Sequence, residues 1–236
     1  MKKYLIISII IFIISVLIFI FNDKLFLLYE RTSNQFSNNT IESRYKQYYE
    51  SVKERIEPFF KKANALFPPE KLVLIAVKDE KILELYSCDI KDNCKFVKKY
   101  DILAASGKSG PKLKSGDRQV PEGIYNIEFL NPNSKFHLSL RVNYPNSFDR
   151  KMAEKDNRTN LGGDIMIHGS NSSIGCIAIG NDNIEEIFIL SAIVKKENIK
   201  IIITPTDFRK HEMTEKIDIE WIDVLYENIK EELKKY

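Results

Sequence analysis

The sequence predicts an α+β fold: a β-rich domain with flanking helices, carried behind an N-terminal transmembrane helix. Three observations predict it. An apolar run over residues 4–21 is interrupted only by Ser8 and Ser15. Apolar residues then recur at helical spacing over 41–67. After Pro68-Pro69 the period shortens to that of strands, and helical spacing returns only toward the C-terminus. The composition is globular, with 44% hydrophobic and 29% charged residues and only 9 Gly and 8 Pro in 236 residues. That excludes a collagen-like, low-complexity or wholly disordered chain. The net charge is +3, and Lys2 and Lys3 supply two of the surplus bases. The rest is close to neutral, which gives no support to a nucleic-acid partner.

A helix over residues 4–21 is about 27 Å long, close to the hydrocarbon thickness of a bilayer. Lys2 and Lys3 ahead of it favour a cytoplasmic N-terminus. No small-x-small cleavage site follows; the chain continues Asn22-Asp23-Lys24-Leu25-Phe26. Residues 1–21 therefore read as an uncleaved signal anchor rather than a cleaved signal peptide, and both readings export the rest. Residues 22–40 end in polar residues and read as a linker. The helical segment 41–69 carries Tyr45, Tyr48, Tyr49, Val52, Ile56, Phe59 and Phe60 as a stripe to pack on the main domain. Pro68-Pro69 ends that helix.

Strands are expected over 72–77, 82–87, 95–104, 124–130, 136–142, 164–167, 176–179 and 200–204, inside one domain of residues 70–206. Gly107, Gly110-Pro111, Pro121-Glu122-Gly123 and Asn131-Pro132-Asn133 mark turns. A helix over 184–196 follows Asn181-Asp182-Asn183, any of which can cap it. The C-terminal helical segment 207–236 places Trp221, Ile222, Leu225, Ile229 and Leu233 on one side of a last helix, about 219–234.

Cys88 and Cys94 bracket a polar turn between two strands; they either bridge or remain two free thiols. Cys176 is then the odd thiol, a candidate reactive one in an exported protein. It lies in Gly162-Gly163-Asp164-Ile165-Met166-Ile167-His168-Gly169-Ser170-Asn171-Ser172-Ser173-Ile174-Gly175-Cys176. An apolar strand ends in His168, a small polar loop follows, and a second strand starts at Cys176. Such a strand–loop–strand can set an imidazole beside a thiol, which raises the thiolate fraction of a group with an ordinary pKa of about 8.5. The N–H groups of Gly175 and Cys176 are candidates to stabilise an oxyanion. Zinc needs three or four ligands, and only His137 and His211 remain as further histidines, so no metal or other cofactor is expected. His137 is either structural or lines the cleft; His211 lies in a charged, solvated stretch.

The pattern His168-Gly169…Ser173-x-Gly175-Cys176 resembles the active-site motif of the L,D-transpeptidase catalytic domain (YkuD) family. Ala104-Ala105-Ser106-Gly107-Lys108-Ser109-Gly110-Pro111-Lys112 and Gly116-Asp117-Arg118-Gln119-Val120-Pro121-Glu122-Gly123-Ile124-Tyr125 are similar to its YafK-like branch. So are Asn131-Pro132-Asn133-Ser134, Leu138-Ser139-Leu140, Asn143-Tyr144-Pro145-Asn146 and Ile184-Glu185-Glu186-Ile187. Ile174 and Ala178 stand where many members carry His, and Arg or Asn, in agreement with that branch. The similarity runs over about 72–205.

The resemblance implies an enzyme that attacks peptidoglycan stem peptides through a cysteine thioester. It opens a meso-diaminopimelate–D-alanine bond and passes the acyl group to an amine or to water: an L,D-transpeptidase or an L,D-carboxypeptidase. It implies Cys176 as nucleophile, His168 as general base and the Gly169 carbonyl as the group orienting the imidazole. The implied setting is periplasmic, on the bacterial inner membrane, with a protein acceptor or donor linked to the wall among the candidate partners. Arg141, Lys108 and Arg118 are candidates to bind substrate carboxylates. Tyr144 and Asn143 are candidates for neutral hydrogen bonds, and Ser173 for bonding the loop or aiding the histidine. Asp117 reads as a turn residue or ion-pair partner. Residues 149–158 form either a short helix or lid over the cleft, or a solvated loop. A papain-type protease is disfavoured, because there the cysteine precedes a distant histidine. The remaining alternative is a non-catalytic cell-wall-binding module on the same fold.

Overall fold

The computed structural model describes residues 39–236, so the expected signal anchor and residues 22–38 of the expected linker lie outside the described residues. Among the described residues no helix is long and apolar enough to cross a membrane. The fold is mixed α+β. Its strands are β1 (Lys71–Val77), β2 (Ile82–Cys88), β3 (Cys94–Asp101), β4 (Gly123–Ser134), β5 (His137–Val142), β6 (Met166–His168), β7 (Ile177–Ala178) and β8 (Ile199–Thr204). Its helices are α1 (Ile41–Lys62), α2 (Ser147–Lys155), α3 (Asn181–Val194) and α4 (Ile222–Leu233). All eight strands join one sheet in the order β3-β2-β1-β8-β4-β5-β6-β7.

Alternation along the strands sorts side chains onto two faces. Leu72, Leu74 and Ala76 of β1, Ile201 and Ile203 of β8, Leu138 and Leu140 of β5, Ile167 and Ile177 face one core. Val52, Ile56 and Phe60 of α1 and Ile184, Ile187 and Phe188 of α3 close that core. The intervening residues Val73, Ile75, Val77 and Ile202 face a second core, closed by Ile222, Leu225, Ile229 and Leu233 of α4 and by Met152 of α2. This second core stops short of β5, β6 and β7: none of their residues joins it. The alternate positions of those strands, Ser139, Arg141, Met166 and His168, are polar or adaptable rather than branched apolar, as an uncovered half-face requires.

The helix ends show why local sequence fixes these lengths. Thr40 and Ser43 form a reciprocal capping box that starts α1. α1 stops at Lys62 rather than 67, because Asn64 turns to a left-handed φ of 51°. Residues 147–155 are helical, capped by Asn146 and Asp149. That helix is not a lid: Phe148 packs edge-on to Trp221 at 5.9 Å, and Trp221 Nε1 donates to Asp156 at 2.9 Å. Trp221 itself precedes α4 as its N-cap residue instead of lying on the helix.

Two further expectations are corrected. Asn131-Pro132-Asn133 lies inside β4 and not in a turn. The β4–β5 register shifts between Asn131 and Ser134, so Pro132, which has no N–H, costs the ladder no bond. α3 begins at Asn181 behind Gly180, with no side-chain cap. Asn181 Oδ1 instead accepts from the Ser170 N–H at 2.8 Å and holds the loop that follows His168. At the far edge of the sheet, Cys88 and Cys94 form a disulfide across the β2–β3 hairpin.

Candidate active site

β6 and β7 run parallel, with Ile167 opposite Ile177 and His168 opposite Ala178. His168 and Cys176 thus lie on the same face of this ladder as diagonal neighbours, on the half-face that no helix covers. Cys176 reaches the β6 backbone, its sulfur accepting from the Met166 N–H at 3.4 Å. The thiol donates to the Asp164 carbonyl at 3.5 Å. No hydrogen bond joins thiol and imidazole in this arrangement.

His168 is 1% exposed, and the Phe136 ring stacks on its imidazole at 4.5 Å with an interplanar angle of 28°. Its Nδ1 lies 2.6 Å from the Gly169 carbonyl. A carbonyl only accepts, so Nδ1 carries the proton and Nε2 keeps its lone pair. Gly169 has no room for a side chain: a Cβ would fall 2.6 Å from the Phe136 carbonyl and 2.7 Å from Asn181 Oδ1. Burial pulls the His168 pKa below the ordinary imidazole value, against the opposing pull of the Gly169 carbonyl. Burial likewise pushes the Cys176 thiol up, and the Asp164 charge adds to that. The Met166 N–H and the Lys112 ammonium act the other way. Both groups therefore rest neutral at pH 7.

The turn leading into Cys176 is held by two serines. Ser173 Oγ accepts from the Cys176 N–H at 3.0 Å and donates to the Cys176 carbonyl at 2.7 Å. Ser106 Oγ, from the loop after β3, accepts from the Gly175 N–H at 2.6 Å and donates to the Arg118 carbonyl at 2.7 Å. Gly175 itself has a left-handed φ of 81°. The two N–H groups expected to face a substrate oxygen are thus each bonded to a serine hydroxyl.

Around this centre, Arg141 of β5 lies opposite Met166 and so continues the Cys176 row. Its Nη2 is 3.2 Å from Asp164 and its Nε is 3.3 Å from Glu128. Tyr144 is not in this group as a donor toward solvent. It is 3% exposed, and its hydroxyl points at the Lys112 and Leu161 carbonyls, 3.1 and 3.4 Å away, tying two loops together. Asn143 pairs with Asn126 through its Oδ1 and backbone N–H. Asp117 is an ion-pair and turn residue, bonding Lys112 at 2.5 Å and the Leu113, Lys114 and Gln119 N–H groups. His137 is structural: it pairs with Glu185 at 2.8 Å.

Sequence reading missed four residues that shape the site. Ser106 and Lys112 sit in the quoted glycine-rich run, and Phe136 and Asp164 flank the β5 and β6 strands. A polar residue in a glycine-containing run signals a loop, but not the distant partner it meets. Among the described residues no group of three His, Cys, Asp or Glu side chains is placed to hold a metal.

The profile of the L,D-transpeptidase catalytic domain (YkuD) matches residues 71–201. Over 113 residues the chain is 35% identical to "Putative L,D-transpeptidase YafK" of Escherichia coli, in both strain K12 and O157:H7. That match takes in 47% of this chain and 43% of the relative, so the chain spans less than half the length of the curated relatives it matches. Among solved structures, the helical cell shape determining protein Pgp2 of Campylobacter jejuni has 23% identity and a TM-score of 0.48 over 62% of this chain and 50% of that one. Bd1075 of Bdellovibrio bacteriovorus has 22% identity and a TM-score of 0.41 over 58% of this chain and 48% of that one. With a profile that spans the sheet from β1 into β8 and takes in both His168 and Cys176, the chain belongs to the L,D-transpeptidase catalytic domain (YkuD) family.

Proposed function

We propose that the protein is a cysteine-dependent acyltransferase or peptidase acting on peptidoglycan stem peptides. Cys176 is the nucleophile, His168 the general base and the Gly169 carbonyl the group that orients the imidazole. The observation that carries this reading is the Nδ1–Gly169 contact of 2.6 Å, which leaves Nε2 as a proton acceptor on the face shared with Cys176. The thiol swings from the Asp164 carbonyl toward Nε2 and gives it the proton. The sulfur then bonds to the substrate carbonyl carbon. On collapse the C–N bond breaks, the imidazolium returns its proton to the leaving amine, and a thioester remains. A second amine or water repeats the sequence in reverse and frees the thiol. The amine gives a cross-link or a wall-linked protein; water gives a trimmed stem. The N-terminal apolar run, read as a signal anchor, supports a setting for this chemistry outside the cytoplasm on the inner membrane.

Intact-mass spectrometry after incubation with muropeptides, or with a carbapenem as a reactive acyl donor, tests the reading. An adduct on the wild-type protein, absent from Cys176→Ala, is expected. Muropeptide binding without any adduct would identify a non-catalytic wall-binding module instead.

A further inference from the structure

The backbone is strained at a residue that the proposed chemistry does not use. His137, where β5 begins, has a φ of 76°, and the Leu138 N–H donates to the Phe136 carbonyl at 3.1 Å. Together these make a γ-turn of positive φ, the rarer and strained form, centred on a residue that carries a Cβ. The His137 side chain is held from two helices. Its Nε2 donates to Glu185 Oε1 of α3 at 2.8 Å, since a carboxylate only accepts. Arg55 of α1 ties the other oxygen of that carboxylate at 3.0 Å, and Tyr48 of α1 packs edge-on to the His137 ring at 5.5 Å. Just before the turn, Phe136 lays its ring on the His168 imidazole, centroids 4.5 Å apart. Phe136 is 41% exposed, so core packing is not what places it there. Just after the turn, the Leu138 carbonyl accepts from the Gly169 N–H at 3.2 Å. The turn thus grips His168-Gly169 from both of its ends, and a φ of ordinary sign at 137 would swing Phe136 out of line with Leu138.

We infer that His137 is a positioning residue: Glu185 holds its strained turn, and the turn holds the Phe136 ring flat on the His168 imidazole. The ring plane fixed in this way keeps Nδ1 aimed at the Gly169 carbonyl and so keeps the lone pair on Nε2. Without the stack, the imidazole is free to rotate about its Cβ–Cγ bond, and both neutral tautomers become populated. His137 touches no reacting atom; it acts through Phe136. Strain of this kind persists only where the surroundings over-determine it, and here the surroundings are α1 and α3. A tie that served stability alone would hold the hairpin without setting the tautomer of a neighbouring ring. This positioning rests on the general-base role proposed for His168, and it links that role to the two helices of the covered face.

The test reads the imidazole directly. The full-length protein is labelled with ¹⁵N at its three histidines and observed by NMR at about pH 8, where an ordinary imidazole is neutral. The His168 signals are the pair missing from His168→Gln. In the wild type one of the two is expected as an N–H nitrogen and the other as a bare acceptor. Phe136→Leu and His137→Ala are expected to draw the two signals toward a tautomer average. They are also expected to lower kcat by about 10- to 100-fold, part of the roughly 10²–10⁴-fold of a general base. KM stays near the wild-type value in His137→Ala, because that side chain meets no substrate. His137→Gly, which takes a positive φ freely, recovers part of what His137→Ala loses. Glu185→Gln, whose amide oxygen still accepts from Nε2, keeps the tautomer that Glu185→Ala loses. Melting curves check that each variant is folded. Unchanged His168 signals in folded His137→Ala and Phe136→Leu overturn the positioning, as does a tautomer shift as large in Glu185→Gln as in Glu185→Ala. The two proposals fail separately. Signals that respond to His137 in a protein that forms no acyl adduct uphold the positioning and reject the acyl transfer; an adduct dependent on Cys176, with signals blind to His137, does the reverse.

Discussion

One hydrogen bond decides what His168 can do. With Nδ1 bonded to Gly169, a neutral ring has one acceptor left, and its burial keeps it neutral below the ordinary imidazole value of 6.5. Proton acceptance then requires only that pH exceed this lowered value. The acid limb of a kcat/KM–pH profile is expected below pH 6.5, and the alkaline limb above the ordinary thiol value, because burial raises Cys176. An acid limb above 6.5 would contradict the neutral resting pair. His168→Ala is expected to lower turnover by about 10²–10⁴-fold, the usual contribution of a general base, with the melting curve checking that the fold persists. At this scale the sequence was informative about chemistry and poor about contacts. His168, Gly169 and Cys176 stand out in one short stretch, so their juxtaposition needs only a parallel pair of strands. Ser106, by contrast, meets Gly175 across many residues of chain, and Tyr144, read as a substrate donor, has its hydroxyl turned onto two carbonyls. No local pattern announces either.

Elements carry their own tests. The disulfide of the β2–β3 hairpin closes a short loop, for which the chain-entropy model gives about 2 kcal/mol. Replacing Cys88 and Cys94 together by Ser is expected to lower the unfolding free energy by about that amount in urea titration. Activity is expected to persist, since β3 and β7 are opposite ends of the sheet order. At the start of α2, Asp149 accepts from the Asn146 N–H and from the Tyr125 hydroxyl, yet burial lifts its pKa to about 6. The folded chain thus holds this proton at pH values where the unfolded chain, at 3.8, has lost it. Its contribution is largest below 3.8 and declines as pH rises toward 6. Asp149→Asn is expected to flatten that part of the melting temperature–pH curve; an unchanged slope would locate the titration elsewhere. Helical periodicity located α1 and α4, while their ends were set by particulars such as the left-handed Asn64 and the clamp on Trp221. The extension of β4 through Pro132 was unreadable for a related reason, because a bulge is a property of two strands and not of one.

Across the described residues, coverage by helices accounts for where the proposed chemistry would lie. α1 and α3 close one face, and α4 with α2 closes the other over β1, β2, β8 and the start of β4, stopping short of β5, β6 and β7. Arg141, His168 and Cys176 occupy the remainder, where a polar side chain need not be buried beneath a helix. The covered side has its own charged tie. Glu185 and Glu186 of α3 hold Arg55 of α1, His137 beside the β5 turn, and Lys98 and Tyr100 of β3. The alternation that separates the faces was legible in each strand. The order of strands was not, because β8 enters between β1 and β4 from far along the chain.

The two serine-held amides give this turn a reserve of donors that is oriented before any ligand arrives. Under the proposed chemistry, stabilising a negative oxygen requires two hydroxyls to rotate aside, with no amide to be recruited from bulk water. The same feature sets a clock in deuterated solvent. The Gly175 and Cys176 amides are expected to exchange slowly in the resting protein, despite lying in a surface turn. Ser106→Ala should quicken the Gly175 amide and leave the Cys176 amide slow. Equal rates in mutant and wild type would mean that the hydroxyl does not guard that amide in solution.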